Sequence, residues 1–319
     1  MRARLCTLVL VFALVHEGVV GGHPLLTRDQ ILSDFPDLAP LRGFCLNDTS
    51  CLPSVHIIGV SKCGTTDIMR RLALHDDVGV TSMKGPHFWD ELHTLDWYAA
   101  LYPHQPGKTL IDASSNTFSY PYVRHKTHLN YTLAEVYGTL FPGVKTIVVF
   151  RDPAQRLYSA FFYYYIFERY NNTPHGFHSF VVDELDKVER AGCGFDDYRC
   201  MFSTSQQLAK SMYWFQLDGW RRNTDLLVLD ADAELFTNMH TGLTKALAHI
   251  GLNYTTEWLQ VVTRLDVANQ RARNRGRSGD GRPMLDMTRT VLADFFTRRE
   301  YGFHELTSRS TPLGHLRRR

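Results

Sequence analysis

A glycine-bounded loop with one lysine and two adjacent threonines is the part of this 319-residue chain best suited to chemistry. An apolar strand, Val55 to Val60, is predicted before the loop, and an amphipathic helix to about Leu74 after it. Backbone N–H groups of such a loop and the helix dipole together bind anions. The predicted phosphate-binding residues are Lys62, Cys63, Gly64, Thr65 and Thr66.

The place of the lysine argues against an ordinary ATP site. In the ATP-binding pattern, lysine directly follows the second glycine. Here Thr65 holds that place, and Lys62 precedes Gly64 by two residues. A lysine inside the loop can reach a bridging oxygen of a bound anhydride. A P-loop kinase would also need a magnesium-binding acidic strand end, which the sequence does not make evident.

A second anion site is predicted after the strand Lys145 to Phe150. Arg151 follows this strand, Asp152 is suited to cap a helix, and Pro153 to begin it. Ser159 falls further along the same helix, where it can converge with Arg151 on one anion. Two phosphate sites, one with a loop lysine, suit 3′-phosphoadenosine 5′-phosphosulfate (PAPS).

At these residues the chain resembles the Golgi carbohydrate sulfotransferases. The 62–66 loop is similar to their 5′-phosphosulfate loop, and Arg151 to Ser159 to their 3′-phosphate element. The stretches 51–53, 62–67 and 84–89 most resemble the N-acetylgalactosamine 4-sulfate 6-O-sulfotransferase branch. The resemblance covers residues 45–305 and implies an α/β fold: a P-loop-like three-layer sandwich with a mainly parallel central sheet flanked by helices.

The resemblance also implies a reaction. A sulfuryl group would pass from PAPS, as co-substrate, to a hydroxyl of a sulfated glycosaminoglycan. The expected position is the 6-O of N-acetylgalactosamine (4-sulfate) in chondroitin or dermatan sulfate. Lys62 is expected to stabilise the leaving oxygen. No metal ion and no nucleic-acid partner are expected.

The general base is harder to assign. Related glucosaminyl sulfotransferases carry Lys-Glu-x-His in this segment, and here Gly85 replaces the glutamate. His87 is retained, and imidazole titrates near the working pH. We expect His87 to be the catalytic base, oriented by Asp90 or Glu91. The alternatives are a structural His87 beneath Trp89, a secreted glycan-binding paralogue without catalysis, and a sulfotransferase for another glycan.

Basic residues are clustered, although the net charge is only +2. Arginines and glycines alternate over residues 271–282, and we expect this stretch to close over PAPS and an anionic glycan. Arg277 and Gly281 are its predicted cofactor contacts. A solvated, flexible loop is the alternative, and it is the favoured interpretation of the arginines at 317–319.

The ends of the chain suggest a luminal protein. Residues 1–22 are predicted to be a secretory signal or a short type II anchor, because their apolar run is too short for an ordinary membrane span. A stem is expected at 23–44, the sulfotransferase domain at 45–305 and a basic tail at 306–319. The expected location is the Golgi lumen, with secretion as an option and membrane contact only through a retained anchor.

The cysteines and sequons agree with this location. Cys45 and Cys51 are close in sequence, as are Cys193 and Cys200, so two local disulfides are predicted, with Cys63 unpaired. Four N-glycosylation sequons fit a glycoprotein of the secretory pathway. They begin at Asn47, Asn130, Asn171 and Asn253.

Strands alternate with helices along the rest of the chain. Further strands are predicted at 108–112 and 225–230, and helices at 154–170, 205–221, 234–250 and 286–301. This alternation predicts a mainly parallel sheet with right-handed crossovers, whose ligands bind beyond the carboxyl ends of the strands. The helical spacing of the aromatic run Phe161 to Tyr165 predicts that most of it is core.

Overall fold

The computed structural model describes residues 26–299 except 80, 195–196 and 266–281. The predicted signal or anchor, the basic tail, Arg277 and Gly281 lie outside these residues. None of the described helices combines the length and the apolarity that crossing a bilayer requires.

A parallel sheet of four strands forms the centre of the molecule. After an antiparallel hairpin of β1 (Cys45–Asn47) and β2 (Ser50–Cys51) come β3 (Val55–Gly59), β4 (Ile111–Asp112), β5 (Lys145–Phe150) and β6 (Asp225–Asp230). In the sheet the strands lie in the order β4-β3-β5-β6, and all neighbours are parallel. β3 is buried throughout, as is β5 beyond its first residue, which explains their mostly apolar sequences. The predicted second strand, 108–112, is reduced to two residues.

The helices fill the connections between these strands. They are α1 (Arg28–Asp34), α2 (Thr65–Leu72), α3 (Leu95–Ala100), α4 (Leu133–Leu140), α5 (Pro153–Tyr163), α6 (Phe167–Tyr170), α7 (Pro174–Ala191), α8 (Tyr198–Thr204), α9 (Gln206–Ala209), α10 (Trp214–Asn223), α11 (Met239–Ile250), α12 (Thr256–Arg264) and α13 (Asp286–Arg299). A 3-10 turn spans Pro36–Leu38, and a π-helical segment spans Ala231–Phe236.

The order of the strands places helices on both faces of the sheet. From β3 to β4 the chain crosses the sheet in one direction. From β4 to β5, and again from β5 to β6, it crosses in the opposite direction. Right-handed crossovers therefore put α2 on one face, and α4 and α10 on the other. In agreement, α4 packs against α10, and α2 packs against α11. The predicted three-layer α/β architecture is confirmed.

The crossovers change direction between β3 and β5, which are neighbours in the sheet. Loops that leave two such strands diverge and open a crevice at their carboxyl ends. The 62–66 loop follows β3, and Arg151 follows β5. The topology therefore brings the two predicted anion motifs to the same crevice.

Two disulfides lie outside the sheet. Cys45–Cys51 joins β1 to β2, and Cys193–Cys200 joins the end of α7 to α8. Both predicted pairings are confirmed, and Cys63 is the free cysteine of the described chain.

Helices α5, α7, α8, α9 and α13 enclose a second apolar core beside the sheet. The predicted stem, 23–44, includes α1, and its Ile31 and Leu38 are fully buried in the main core.

The aromatic run of α5 divides where the helix ends. Phe161 and Phe162 are buried, as predicted. Tyr163, Tyr164 and Tyr165 are instead 39%, 39% and 46% exposed. The prediction that most of this run is core was therefore wrong, because the helix stops at Tyr163 and the chain turns, with Tyr165 at a φ of +58°. The predicted 154–170 helix is thus two helices, α5 and α6.

Candidate active site

The loop between β3 and α2 makes a tight turn in front of the helix. Its turn is closed by the Cys63 N–H, which donates to the Val60 carbonyl at 3.1 Å. Lys62 and Gly64 both lie in the left-handed region, with φ values of +73° and +99°. α2 then begins at Thr65, and no described side chain caps it. The N–H groups of its first turn therefore have the orientation that suits an anion at a helix N-terminus.

Phe236 connects this loop to the second motif. The positive φ of Gly64 favours glycine, and a Cβ atom there would also lie only 3.2 Å from the Phe236 ring, a tight contact. The Arg151 guanidinium lies over the other side of the site, 5.2 Å from the centroid of the same ring. One aromatic side chain thus contacts both predicted anion-binding segments and holds Arg151 beside the loop.

Lys62 is half-buried at the mouth of the loop. Its Nζ lies 3.5 Å from the centroid of the Tyr163 ring, a cation–π contact. Burial, followed by the positive charges of Arg156 and Arg151, lowers the pKa of Lys62 to about 8. A cation surrounded by other cations is stabilised when an anion binds among them.

Lys84 provides a second cation at the loop. Its Nζ donates to Thr65 Oγ1 at 3.3 Å. Burial lowers the pKa of Lys84 to about 8, and the Asp112 carboxylate partly offsets this effect. Thr65 is buried and Thr66 exposed, so the two predicted hydroxyl donors lie at different depths. Sequence reasoning missed Lys84 as a site residue, although it begins the segment that contains His87.

Arg156 supplies a buried positive charge beneath the loop. Its side chain is fully buried and donates to the Ser61 carbonyl at 3.1 Å and to the Gln207 carbonyl at 2.7 Å. It also bonds Gln207 Oε1 at 2.7 Å and the hydroxyls of Ser61 and Ser211. All of these partners are neutral, and no described carboxylate forms an ion pair with it. The guanidinium therefore fixes the loop and contributes uncompensated positive charge.

The Cys63 side chain belongs to the main hydrophobic core. It is fully buried, with Sγ 3.7 Å from the Tyr213 hydroxyl. Burial raises the pKa of the Cys63 thiol to about 11. An uncharged, inaccessible thiol is a poor nucleophile. Cys63 therefore serves the loop through its backbone.

The second anion motif has the local structure that the sequence predicts. Asp152 caps α5 by accepting from the Gln155 N–H at 2.7 Å. Arg151 Nε lies 3.7 Å from Asp232 Oδ1, a loose ion pair that leaves donors for a ligand. Ser159 is half-buried on α5. The chain returns beside this helix at Arg282, whose carbonyl accepts from the Tyr158 hydroxyl at 2.9 Å.

His87 and Asp90 form a close pair. His87 Nδ1 lies 3.0 and 3.1 Å from the two Asp90 carboxylate oxygens. Burial alone lowers the pKa of His87, but the Asp90 bond and charge outweigh it and raise the pKa above its ordinary value. Asp90 is buried, and the His87 side chain is 24% exposed. Within the described chain, His87 Nε2 forms no hydrogen bond and is available to a substrate.

The backbone at His87 is held by residues at the end of β4. His87 N–H donates to Ser114 Oγ at 2.9 Å, and Ser114 N–H donates to Asp112 Oδ1 at 2.7 Å. The Tyr98 hydroxyl donates to the second Asp112 oxygen at 2.7 Å. This network fixes His87 at a φ of +56°. Trp89 packs elsewhere, in the core against Phe88, Tyr137 and Phe141, which favours an accessible imidazole.

A cavity of about 730 Å³ lies next to this pair. Its walls include Asp90 and Glu91 from the histidine segment and Lys210 from the turn after α9. Aromatic side chains line other parts of it. They are Tyr120, Tyr122, Tyr164 and Phe202. A cavity of this size that combines several rings with a few polar side chains suits a sugar chain.

The structure therefore brings together Lys62, Gly64, Thr65 and Arg151 at one crevice. It adds three cations that the sequence analysis did not assign to the site. Lys84 and Arg156 lie inside the predicted motifs, whereas the spacing of residues around Lys210 carries no signal. Arg277 and Gly281 lie outside the described residues. Among the described residues, no group of three or more His, Cys, Asp or Glu side chains is placed to hold a metal ion.

Comparison with known proteins identifies relatives of this arrangement. Carbohydrate sulfotransferase 15 of Mus musculus is 25% identical over an alignment of 295 residues, which covers 77% of this chain and 52% of that protein. The membrane-associated sulfotransferase kil1 of Dictyostelium discoideum is 24% identical over 169 residues, covering 50% of this chain and 34% of that protein. The chain thus spans about half or less of the length of these curated relatives.

A solved structure and a family model agree with these relatives. The crystal structure of a sulfotransferase from Alicyclobacillus acidocaldarius superposes with a TM-score of 0.56 at 18% identity, covering 83% of this chain and 99% of that one. This likeness shows the fold. The sulfotransferase domain model matches residues 52–232, more than half of the sequence and both anion motifs. The chain therefore belongs to the sulfotransferase domain family.

Proposed function

We propose that this protein transfers a sulfuryl group from PAPS to a hydroxyl group of a glycan. The observation that carries the proposal is the crevice between β3 and β5. Lys62, Lys84 and Arg156 meet there beside an uncapped helix N-terminus, without a carboxylate in an ion pair with any of them in the described chain. Confined cations of this kind fit a ligand with several negative charges.

Each group can be given a role in the transfer. Lys62 stabilises the charge that develops on the leaving phosphate oxygen, and Lys84 supports it through Thr65. Arg151 and Ser159 hold the 3′-phosphate. His87 accepts the proton of the acceptor hydroxyl at Nε2, while Asp90 stabilises the resulting imidazolium. The acceptor oxygen bonds to sulfur as the bond from sulfur to the 5′-phosphate oxygen breaks, and adenosine 3′,5′-bisphosphate departs.

For the acceptor we propose a glycosaminoglycan, at the 6-O position of N-acetylgalactosamine (4-sulfate) in chondroitin or dermatan sulfate. The similarity to carbohydrate sulfotransferase 15 supports a carbohydrate acceptor. The aromatic and polar cavity beside His87 supports a sugar chain. A catalytically inactive glycan-binding protein is less well supported, because an accessible histidine with a carboxylate partner remains where a base is needed.

We place the protein in the secretory pathway, most specifically in the Golgi lumen. Two disulfides require an oxidising compartment. All four sequon asparagines are exposed, so each can accept a glycan. Digestion with an N-glycosidase, followed by mass measurement, tests this placement.

The test of function is a transfer assay with the full chain. Radiolabelled PAPS is incubated with chondroitin sulfate or dermatan sulfate, and disaccharide analysis locates the new sulfate. Lys62→Ala should reduce turnover by about 10²- to 10³-fold. The matched control is Lys145→Ala, since Lys145 pairs with Asp225 at the opposite end of the same sheet. Transfer by neither wild type nor control, or full transfer by a folded Lys62→Ala protein, contradicts the proposal.

A further inference from the structure

Lys210 is a buried lysine at the cavity beside His87. Only 5% of its surface is exposed, and its Nζ donates to Asn116 Oδ1 at 3.1 Å. Its ammonium also lies 5.9 Å from the centroid of the Phe202 ring. Among the described residues, no carboxylate forms an ion pair with it. A lysine is rarely buried to this degree unless a negative charge is near.

The acidic groups of the same cavity have other partners. Asp90 directs both carboxylate oxygens to His87 Nδ1. Glu91 lies 3.2 Å from His93 Nε2. The histidine of the cavity, His125, is hydrogen-bonded through Nδ1 to the Tyr120 hydroxyl at 2.9 Å. Among the charged side chains of this cavity, Lys210 is therefore the one whose charge is least neutralised by its described neighbours.

Lys210 belongs to the acceptor side of the site. Burial, followed by Arg156, lowers its pKa to about 8, and Asp90 is the carboxylate that opposes this shift. Arg156 also acts on the loop residue Lys62, but the other charged neighbours of Lys62 are Arg151, Cys63 and Lys84, and Asp90 is not among them. Lys210 thus lines the same cavity as Asp90 of the His87–Asp90 pair, and Asp90 is the carboxylate whose charge acts on it.

We propose that Lys210 is a specificity residue that binds an anionic substituent of the acceptor, a sulfate or a carboxylate. This inference rests on the proposed sulfuryl transfer to a glycan. Tyr120, Tyr122 and Tyr164 present rings on which sugars can pack. The acceptor is then fixed at two points, by its anion at Lys210 and by its reacting hydroxyl at His87. Such an enzyme adds sulfate to a chain that already carries charge.

Three acceptors show whether the anion that Lys210 binds is a sulfate or a carboxylate. These are chondroitin 4-sulfate, the same chain after chemical desulfation, and the same chain after reduction of its carboxyl groups. For the wild type, loss of the relevant anion should lower kcat/KM by about 10- to 100-fold, the usual effect of one charge-assisted hydrogen bond. In Lys210→Gln this preference should disappear, because the amide can still donate to Asn116 but carries no charge.

Two further variants show whether an effect of Lys210→Gln comes from the lost charge or from a folding defect. Lys210→Arg restores the charge and should restore part of the preference. Lys187→Gln is the matched control, since Lys187 lies on α7 and pairs with Glu184, and it should retain full preference. All variants should bind adenosine 3′,5′-bisphosphate as the wild type does.

The outcomes distinguish this inference from the proposed function. If the wild type transfers sulfate and Lys210→Gln loses activity equally on all three acceptors, or loses affinity for the bisphosphate, the inference is wrong and the function stands. If the wild type transfers nothing, calorimetry with a chondroitin 4-sulfate oligosaccharide tests Lys210 directly. Weaker binding by Lys210→Gln than by Lys187→Gln then supports the anion site, and equal binding or no binding overturns it.

Discussion

Replacing Asp90 by asparagine should reveal whether His87 is the base. The carboxylate oxygens lie 3.0 and 3.1 Å from His87 Nδ1, so the charge acts on the imidazole at hydrogen-bond distance. Asparagine has nearly the same shape, and its carbonyl can still accept from Nδ1–H. The substitution therefore removes the charge and keeps the orientation of the ring.

The sign of the effect follows from the pKa of His87. A base works in its neutral form, so the raised pKa places the onset of activity above the ordinary histidine range. Without the Asp90 charge the pKa of His87 falls, because only the charges of Glu91 and Asp112 then oppose the effect of burial. The ascending limb of the pH–rate profile should then move to lower pH. The plateau should fall by about 10- to 100-fold, because a hydrogen bond to a charged group is worth about 1.5–3 kcal/mol.

The assay is turnover at saturating PAPS across the pH range, for the wild type, Asp90→Asn and His87→Ala. His87→Ala should lose the ascending limb and about 10²- to 10⁴-fold in rate, with PAPS affinity near normal. Asp96→Asn, on the exposed side of α3, is the control and should behave as the wild type. An unmoved or upward-shifted limb in Asp90→Asn, or full turnover by His87→Ala, refutes the reasoning.

Four other substitutions test the donor site and the backbone. Arg151→Ala and Ser159→Ala should each weaken binding of adenosine 3′,5′-bisphosphate far more than binding of adenosine 5′-phosphate, by about 10- to 100-fold for the arginine. Calorimetry with both nucleotides measures this, and equal losses mean a structural role. Gly85→Glu should destabilise the protein by about 1–3 kcal/mol in thermal unfolding. Gly85→Ala adds the same Cβ atom and should lose a similar amount of stability. If either variant is as stable as the wild type, the added Cβ atom does not clash with its surroundings.

The fold was predictable because its central strands are local apolar sequences. β3, β5 and β6 were each predicted to within one residue of their ends. Parallel strands that are buried on both faces are mostly apolar, and the connections between them must be long. Both signals are visible in one sequence. β4 was less clear, because only Ile111 and Asp112 join the ladder.

The candidate site was predictable where its residues are neighbours in sequence. Lys62 to Thr66 and Arg151 to Ser159 are single segments at strand ends, so motif and topology place them together. Lys84, Arg156 and Lys210 come from three distant segments, and their burial depends on contacts that spacing cannot show. The helical spacing that assigned Tyr164 to the core failed for a related reason, since spacing does not reveal where a helix stops.

The glycine at position 85 gains a physical explanation from the structure. The Ala113 N–H donates to the Lys84 carbonyl at 3.0 Å, so residues 84–85 run against the end of β4. A Cβ on Gly85 would lie 2.8 Å from the Ala113 carbonyl oxygen, closer than packing allows. The same approach lets His87 N–H reach Ser114 and its ring reach Asp90. The backbone path that excludes a glutamate at position 85 is therefore the path that orients the histidine. On this argument, the absent carboxylate and the proposed imidazole base have one structural cause.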